Sequence, residues 1–259
     1  MMGINIKTIA LPKEHGGWGL LLEPVIVALV LCPHGSAFLL AVSFICAFLM
    51  YYPLKIATED TLKHQRTPRT MLAYQFSALY GFIALVGILY VFINSKSLFW
   101  IPLLISLPLF FYQFSAALNK EHRNLFPEIS GAVALASVAP AILISGERSL
   151  IDAFLIWYLF MVRGFFSIVY VRNRLRAARK QAYSGQQVAI VHSLGLVSIL
   201  ILVFIKLIPY PVLAGYGILS AHAYWGMKSH DSLLKPKDIG WQEMLFGVIN
   251  CIFIILAYY

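Results

Sequence analysis

Charge is scarce in this chain, and negative charge is scarcer still. Only 12% of the 259 residues are charged, with 11 acids against 20 Lys and Arg and a formal net charge of +9. Soluble domains carry about 25% charged residues, so there is too little polar surface here to cover a soluble core. Cysteine is nearly absent. Cys32, Cys46 and Cys251 lie in or beside apolar stretches without metal-ligand spacing, which leaves them as packing residues. Runs of about ten alternating residues, the mark of a membrane β-barrel, are also missing. The N-terminal segment leads into polar Lys13-Glu14-His15 without a small-residue cleavage site, so no cleavable signal peptide is expected.

What is abundant is apolar sequence: 60% of residues are hydrophobic, and the mean hydropathy is +0.79. Continuous apolar runs of about 16–23 residues fit membrane helices, whose backbone polar groups are satisfied within the helix. The expected fold is an all-α polytopic bundle in one transmembrane domain over residues 1–259, with about nine spans. These are read near 17–32, 36–54, 71–93, 98–118, 127–145, 150–171, 187–208, 210–227 and 241–259. Short connections alternate with longer basic ones. The N-terminal segment holds two Lys, loop 55–70 four Lys and Arg, loop 119–126 two, loop 172–186 five and the 228–240 region three. The intervening loops hold Lys96 and Arg148. By the positive-inside rule the N-terminus is expected to be cytoplasmic and the C-terminus outside, in the inner (plasma) membrane. Aromatic residues near span ends, Trp18, Trp100, Trp225 and Trp241 among them, suit interfacial belts.

Cations are densest from Arg163 to Gln187, where an arginine inside an apolar span precedes Arg172-Asn173-Arg174-Leu175-Arg176-Ala177-Ala178-Arg179-Lys180. Arg163, Tyr170 and Arg174 share one face if the helix continues, and Arg172, Arg176 and Arg179 share another. The first face points to a cavity that holds an anion. The second fits that role or anchoring by anionic lipids of the inner leaflet. Glu23 lies at a depth similar to that of Arg163. An unpaired buried charge is costly in lipid, so the two are expected to form an ion pair or opposite walls of one polar cavity. A packing pair without ligand is the alternative. Arg66 and Arg69 add cations in loop 55–70. The adjacent Glu59 and Asp60 diverge by about 100° on a helix and make a poor metal clamp. Glu128, just after Pro127, reads as a helix-starting acid. His192 and His222 read as packing histidines. The candidate anion ligands are Arg163, Arg172, Arg174, Arg176 and Arg66. The candidate polar lining is Glu14, His15, Glu23, Asn173 and Tyr170, with His15 able to shuttle a proton.

Arg66-Thr67-Pro68-Arg69 resembles, one residue shorter, the Arg-Thr-x-x-Arg-Pro that closes the first loop motif of the UbiA superfamily of intramembrane prenyltransferases. Pro127–Ala132 resembles the start of that family's fifth span. Asn173 through Ala189, with Leu194-Gly195, resembles its loop after span six. That family holds diphosphate through Mg²⁺ on two Asp-rich motifs. Here Pro53, Ala57 and Thr61 stand near the first set of positions, and Arg176 and Arg179-Lys180 near the second. Mg²⁺ requires carboxylate oxygens, so no metal cofactor is expected. Leu11-Pro12-Lys13-Glu14-His15-Gly16 and the arginine-rich second loop are more similar to the YwiC-like family of bacterial membrane proteins.

The resemblance implies a membrane lipid or isoprenoid with a phosphate or carboxylate head, held by arginine forks without metal. It leaves open a divergent prenyl transfer in which arginines stabilise the leaving diphosphate. A permease for a small anion or amphiphile fits Glu23 and Arg163 equally. A structural subunit is a further alternative, with the small residues 131–136 allowing close helix contact. No nucleic-acid partner is expected.

Overall fold

The computed structural model describes residues 6–12, 15–121, 123–228 and 235–259, with the His15 side chain outside that set. The architecture is all-α, and no strand occurs among the described residues. In chain order the helices are α1 (Lys7–Ala10), α2 (His15–Leu31), α3 (Gly35–Leu62), α4 (Pro68–Asn94), α5 (Trp100–Leu118), α6 (Leu125–Ala136), α7 (Val138–Ser145), α8 (Leu150–Ala178), α9 (Gly185–Phe204), α10 (Pro211–Lys228) and α11 (Pro236–Tyr258). Among the described residues, seven segments are long and apolar enough to cross a membrane: α3, α4, α5, the α6–α7 pair, α8, α9 and α11. The expected count of nine thus stands at seven by length and composition. α2 is shorter, and α10 carries His222, Tyr216, Tyr224 and Lys228, which dilute its apolar character. The apolar exterior supports the same reading. Large side chains such as Phe82, Ile93, Leu194 and Phe204 stand exposed along α4 and α9, a surface that water would not tolerate and lipid does.

The sequence places the helix boundaries by specific chemistry. Thr67 caps α4 by exchanging hydrogen bonds with Thr70, and Pro68 occupies the first turn. Ser149 and Ser184 accept from the Asp152 and Gln187 amides to open α8 and α9. Five helices close on a left-handed residue two positions past the last helical one: His64, Lys120, Glu147, Lys180 and Lys206. In each case the next amide reaches back to a carbonyl of the last turn, as in Gln65 to Asp60 at 2.8 Å and Gln181 to Arg176 at 2.9 Å. None of the five is glycine, the residue that normally marks such an end. The expected loops 55–70 and 172–186 are therefore largely helix, and only residues 63–67 and 179–184 remain as turns. The expected span 127–145 is broken at Ser137. Pro140 has no N–H for the Ala136 carbonyl and its ring crowds that group.

α3, α4 and α8 have 28, 27 and 29 residues, about 40–44 Å at 1.5 Å per residue, so they outrun a hydrocarbon core of about 30 Å. Burial sorts the helices. In the most apolar window of each span, 67% of α6–α7 and 61% of α8 is buried, against 22% of α4 and 17% of α9. α6, α7 and α8 therefore form the centre, and α4 and α9 the lipid-facing periphery. The small residues at 131–136 serve this interior: Ala132 and Ala136 are buried, and Gly164 of α8 lies against Ala132.

Connections gather by end. At one end Ile9 of α1 packs on Ile56, Ala57 and Ala73, and Arg172 donates to the Arg123 carbonyl. At the other, Arg148 caps the Leu31 carbonyl, Ser36 donates to the Ser145 carbonyl, and Tyr258 lines a crevice with Leu31 and Arg148. α1 thus lies at one end of the bundle and the C-terminal tip of α11 at the other. Lys206 joins Lys96 and Arg148 at the end poor in cations.

Candidate functional site

Arg163 lies near the middle of α8, thirteen residues after Leu150, and is 3% exposed. An arginine held there needs counter-charge, and it receives two. One terminal nitrogen donates to Glu23 Oε1 of α2 at 3.2 Å, and the other to Glu243 Oε2 of α11 at 3.2 Å. The nitrogen that serves Glu23 also meets the Glu243 backbone carbonyl at 3.0 Å. Arg163 Nε makes no hydrogen bond. Both carboxylates are buried. Gly247, one turn past Glu243, faces this cluster: a methyl group there would run into Glu23 Oε1 and the Arg163 guanidinium. A side chain larger than hydrogen would wedge α11 off the charges it supplies.

A fourth group completes the arrangement. His222 of α10 sets Nε2 3.8 Å from Glu243 Oε1. Its ring stacks on Phe246 at 3.8 Å and meets Tyr170 edge-on at 5.2 Å. His192 of α9 packs on Phe166 and bonds Ser220 through Nδ1 at 3.2 Å. Further along α11, Asn250 is fully buried, and its amide makes no hydrogen bond of good geometry.

Above this core, towards the end of α8, the arginine run divides by face. Tyr170 and Arg174 are buried, at 1% and 3% exposure, while Arg176 and Arg179 are exposed. Arg172 donates to Glu128 Oε2 at 2.8 Å and to the Arg123 carbonyl. Glu128 therefore both opens α6 and ties it to α8. Asn173 is buried as a clip: its Oδ1 accepts the Ser184 amide at 2.8 Å, and its Nδ2 donates to the Val169 carbonyl. Arg66 is exposed in the turn between α3 and α4, helices that share no extensive packing with α8. The structure thus sets Glu23, Arg163, Tyr170 and Arg174 in the interior along α8, ties Asn173 to the start of α9, and leaves Arg66 apart from them. Glu14 and the His15 side chain lie outside the described residues. Asp60 accepts from Thr70 Oγ1 at 2.8 Å, while Glu59 turns to Lys55 at 3.8 Å, so the adjacent acids diverge as expected.

Arg163 was expected to take an external anion, but its charge is already answered by two acids. The guanidinium is enclosed, and its contact with Glu23 is the ion pair expected from the sequence alongside that role. Glu243 and His222 were missed as site residues. Glu243 follows Trp241 near the start of the last helix, where an acid reads as an interfacial or helix-starting residue. The signal that could have found it is depth: seven residues into α11, it lies about 10 Å from that helix's start.

An apolar groove of about 700 Å³ lies along the far half of α8 and α9, lined by Leu150, Phe154, Tyr158 and Ile201. Its polar feature is the Tyr158–Ser198 hydrogen bond.

The YwiC-like protein family matches residues 11–143, which run from before α2 into α7 and so include Glu23 but not Arg163 or Glu243. A curated relative from Bacillus subtilis (strain 168), described as uncharacterized protein YwiC, is 26% identical over 182 residues. That alignment covers 67% of this chain and 70% of the relative. No solved structure matches. With half of its length matched by the family and an apolar helical bundle to accommodate it, the chain is a multi-pass membrane protein belonging to the YwiC-like family.

Proposed function

We propose that this protein binds an anionic membrane lipid or isoprenoid, with a phosphate or carboxylate head, at the basic end of α8. The fold is a divergent relative of the UbiA bundle. The protein sits in the inner membrane with its N-terminus in the cytoplasm. Arg176 engages the head at the mouth with Arg174 behind it in the interior, Arg172 and Asn173 fix the helix ends around it, and no Mg²⁺ takes part. The tail lies among the apolar helices, with the groove between α8 and α9 available to it. Tyr158 in that groove is sixteen residues from Arg174, about 24 Å along the helix.

The observation that carries this reading is the split of the arginine run. Arg174 is buried directly above Tyr170, while Arg176 and Arg179 stand exposed on the same helix. Arg163 already has two acids and Arg172 has Glu128, while the exposed Arg176 and Arg179 carry positive charge out to the mouth, where a bidentate acceptor would be held.

The test is binding of geranylgeranyl diphosphate to the purified full chain in detergent with excess chelator. Binding is expected to survive chelation. Arg176→Gln should weaken it about 10- to 100-fold, the range for a charged hydrogen bond, with marked salt sensitivity, and Arg174→Gln less. Binding that appears only with Mg²⁺ and ignores both substitutions overturns the reading. Product formation with an acceptor in the same assay would extend it to prenyl transfer.

A permease for a small anion is the second reading. It is favoured by the position of the Glu23–Arg163–Glu243 cluster near the middle of α8, where ionisable groups mark translocation paths. Uptake of inorganic phosphate into proteoliposomes distinguishes the two.

A further inference from the structure

Seven-residue steps along α8 pass through Ile151, Tyr158, Phe165, Arg172 and Arg179. Residues spaced this way share one face of a helix, with a drift of about 20° per step. The first three side chains are apolar or aromatic and the last two are cations, with Arg176 one turn past Arg172 beside them. The rest of the bundle leaves this face open. α6 borders it on one side: Trp157 donates to the Val133 carbonyl at 3.2 Å, Gly164 lies against Ala132, and Arg172 reaches Glu128. α9 borders it on the other: Tyr158 donates to Ser198, Gly195 lies against Phe166 and Val162, and Asn173 accepts the Ser184 amide. Between the two borders Ile151, Phe165, Arg176 and Arg179 stand exposed, although most of α8 is buried. The groove of about 700 Å³ beside Leu150, Phe154 and Tyr158 is the far end of this furrow. Apolar at one end and cationic at the other, the furrow matches an amphiphile lying along α8 with its anionic head at Arg176.

Length decides which amphiphile. Arg176 is 18 residues from Tyr158 and 25 from Ile151, about 27 Å and 38 Å along the helix. A chain confined to one leaflet of the hydrocarbon core reaches about 15 Å and ends near Phe165, short of the groove. We propose that the furrow selects an anionic amphiphile with one chain long enough to cross both leaflets, of the polyisoprenoid phosphate class, over the two-chain phospholipids around it. An extended chain advances about 1.2 Å per bond, so an isoprene unit of four bonds covers about 5 Å and about eight units reach Ile151. Arg176 and Arg172 hold the head, Phe165 carries the middle of the chain, and the groove takes its end. Surrounding lipid is as apolar as the groove, so the chain gains by packing rather than by leaving water. The selectivity therefore shows in where the chain lies. The proposal rests on the anion reading and adds the chain length that the same site takes.

The experiment is photolabelling of the purified full chain in detergent with excess chelator. The probes are prenyl monophosphates of about three and about eight isoprene units, each with a diazirine on the unit farthest from the phosphate. Labelled residues are mapped by mass spectrometry. The short probe is expected to label near Phe165, and the long one near Ile151 and Ile201. At sub-saturating probe, Arg176→Gln should lower both about 10-fold or more. Ile201 is exposed, so Ile201→Trp fills the groove from the lipid side without touching the core. It should remove long-probe labelling at Ile151 and leave the short probe's labelling unchanged. A long probe that labels the lipid-facing Phe82 and Ile93 of α4 as strongly as Ile151, or whose label near Ile151 ignores Ile201→Trp, overturns the proposal. If the short probe responds to Arg176→Gln while the long chain never reaches Ile151, only this inference falls. If neither probe responds to Arg176→Gln, the anion reading falls with it.

Discussion

Replacing Arg163 by methionine removes the one guanidinium from a site that holds two buried carboxylates. Glu23 and Glu243 each lie 3.2 Å from a different terminal nitrogen of that side chain, so the substitution leaves two like charges facing each other without a counter-ion. Breaking a buried pair by deleting one partner costs about 3–5 kcal/mol, chiefly because the remaining charge is stranded. For a chain of this size each kcal/mol moves Tm by about 2–4 °C, so Arg163→Met should lower it by about 6–20 °C. Glu23→Gln at neutral pH is expected to cost far less. It leaves an Arg163–Glu243 pair of zero net charge, and the glutamine carbonyl can still accept from the guanidinium. The asymmetry follows from counting: one cation serves two anions, so the cation is irreplaceable and either anion is not. The assay is fluorescence-detected thermal unfolding in one detergent, with helix content checked by circular dichroism. Equal losses in the two variants, or an Arg163→Met protein as stable as wild type, would show that Arg163 does not hold the cluster together.

Glycine substitutions should separate by what a methyl group would meet. Gly247→Ala drives a methyl into Glu23 and Arg163 and should destabilise by about 1–3 kcal/mol or more, whereas Gly217→Ala, with open space around it, should stabilise α10 by up to about 1 kcal/mol; thermal unfolding of the two variants reads the contrast. Arg148→Ala removes the two donors that cap the Leu31 carbonyl at 3.3 and 2.9 Å, so unfolding measurements should show a loss of about 1.5–3 kcal/mol. Reporter fusions in the 63–67 and 179–184 turns should report the cytoplasm, and fusions at 146–149 the opposite side; the reversed pattern would refute the proposed orientation.

Much of the architecture was legible because lipid imposes a simple rule on sequence. Long apolar runs must be helices there, and scarce charge leaves few places to interrupt them. The ion pair between Glu23 and Arg163 was legible for the same reason, since two deep charges of opposite sign are driven together wherever the chain permits. The ends of α3 and α8 were not. They close on His64 and Lys180 in the left-handed conformation, positions where glycine would have given the signal, so helix was read as loop. The role of Glu128 in binding Arg172 was half legible: its place in the first turn of α6 follows from sequence, and its partner 44 residues away does not.

By itself, then, the sequence determined the medium, the secondary structure and the presence of charge at depth, because burial energetics act on each segment separately. Only the tertiary structure decided that Arg163 answers two acids rather than an outside anion. Glu243 reaches it from a helix eighty residues later in the chain, and Gly247 lets that helix come close enough. A side chain's partner is set by which helices pack together, and no local pattern in either helix records that choice.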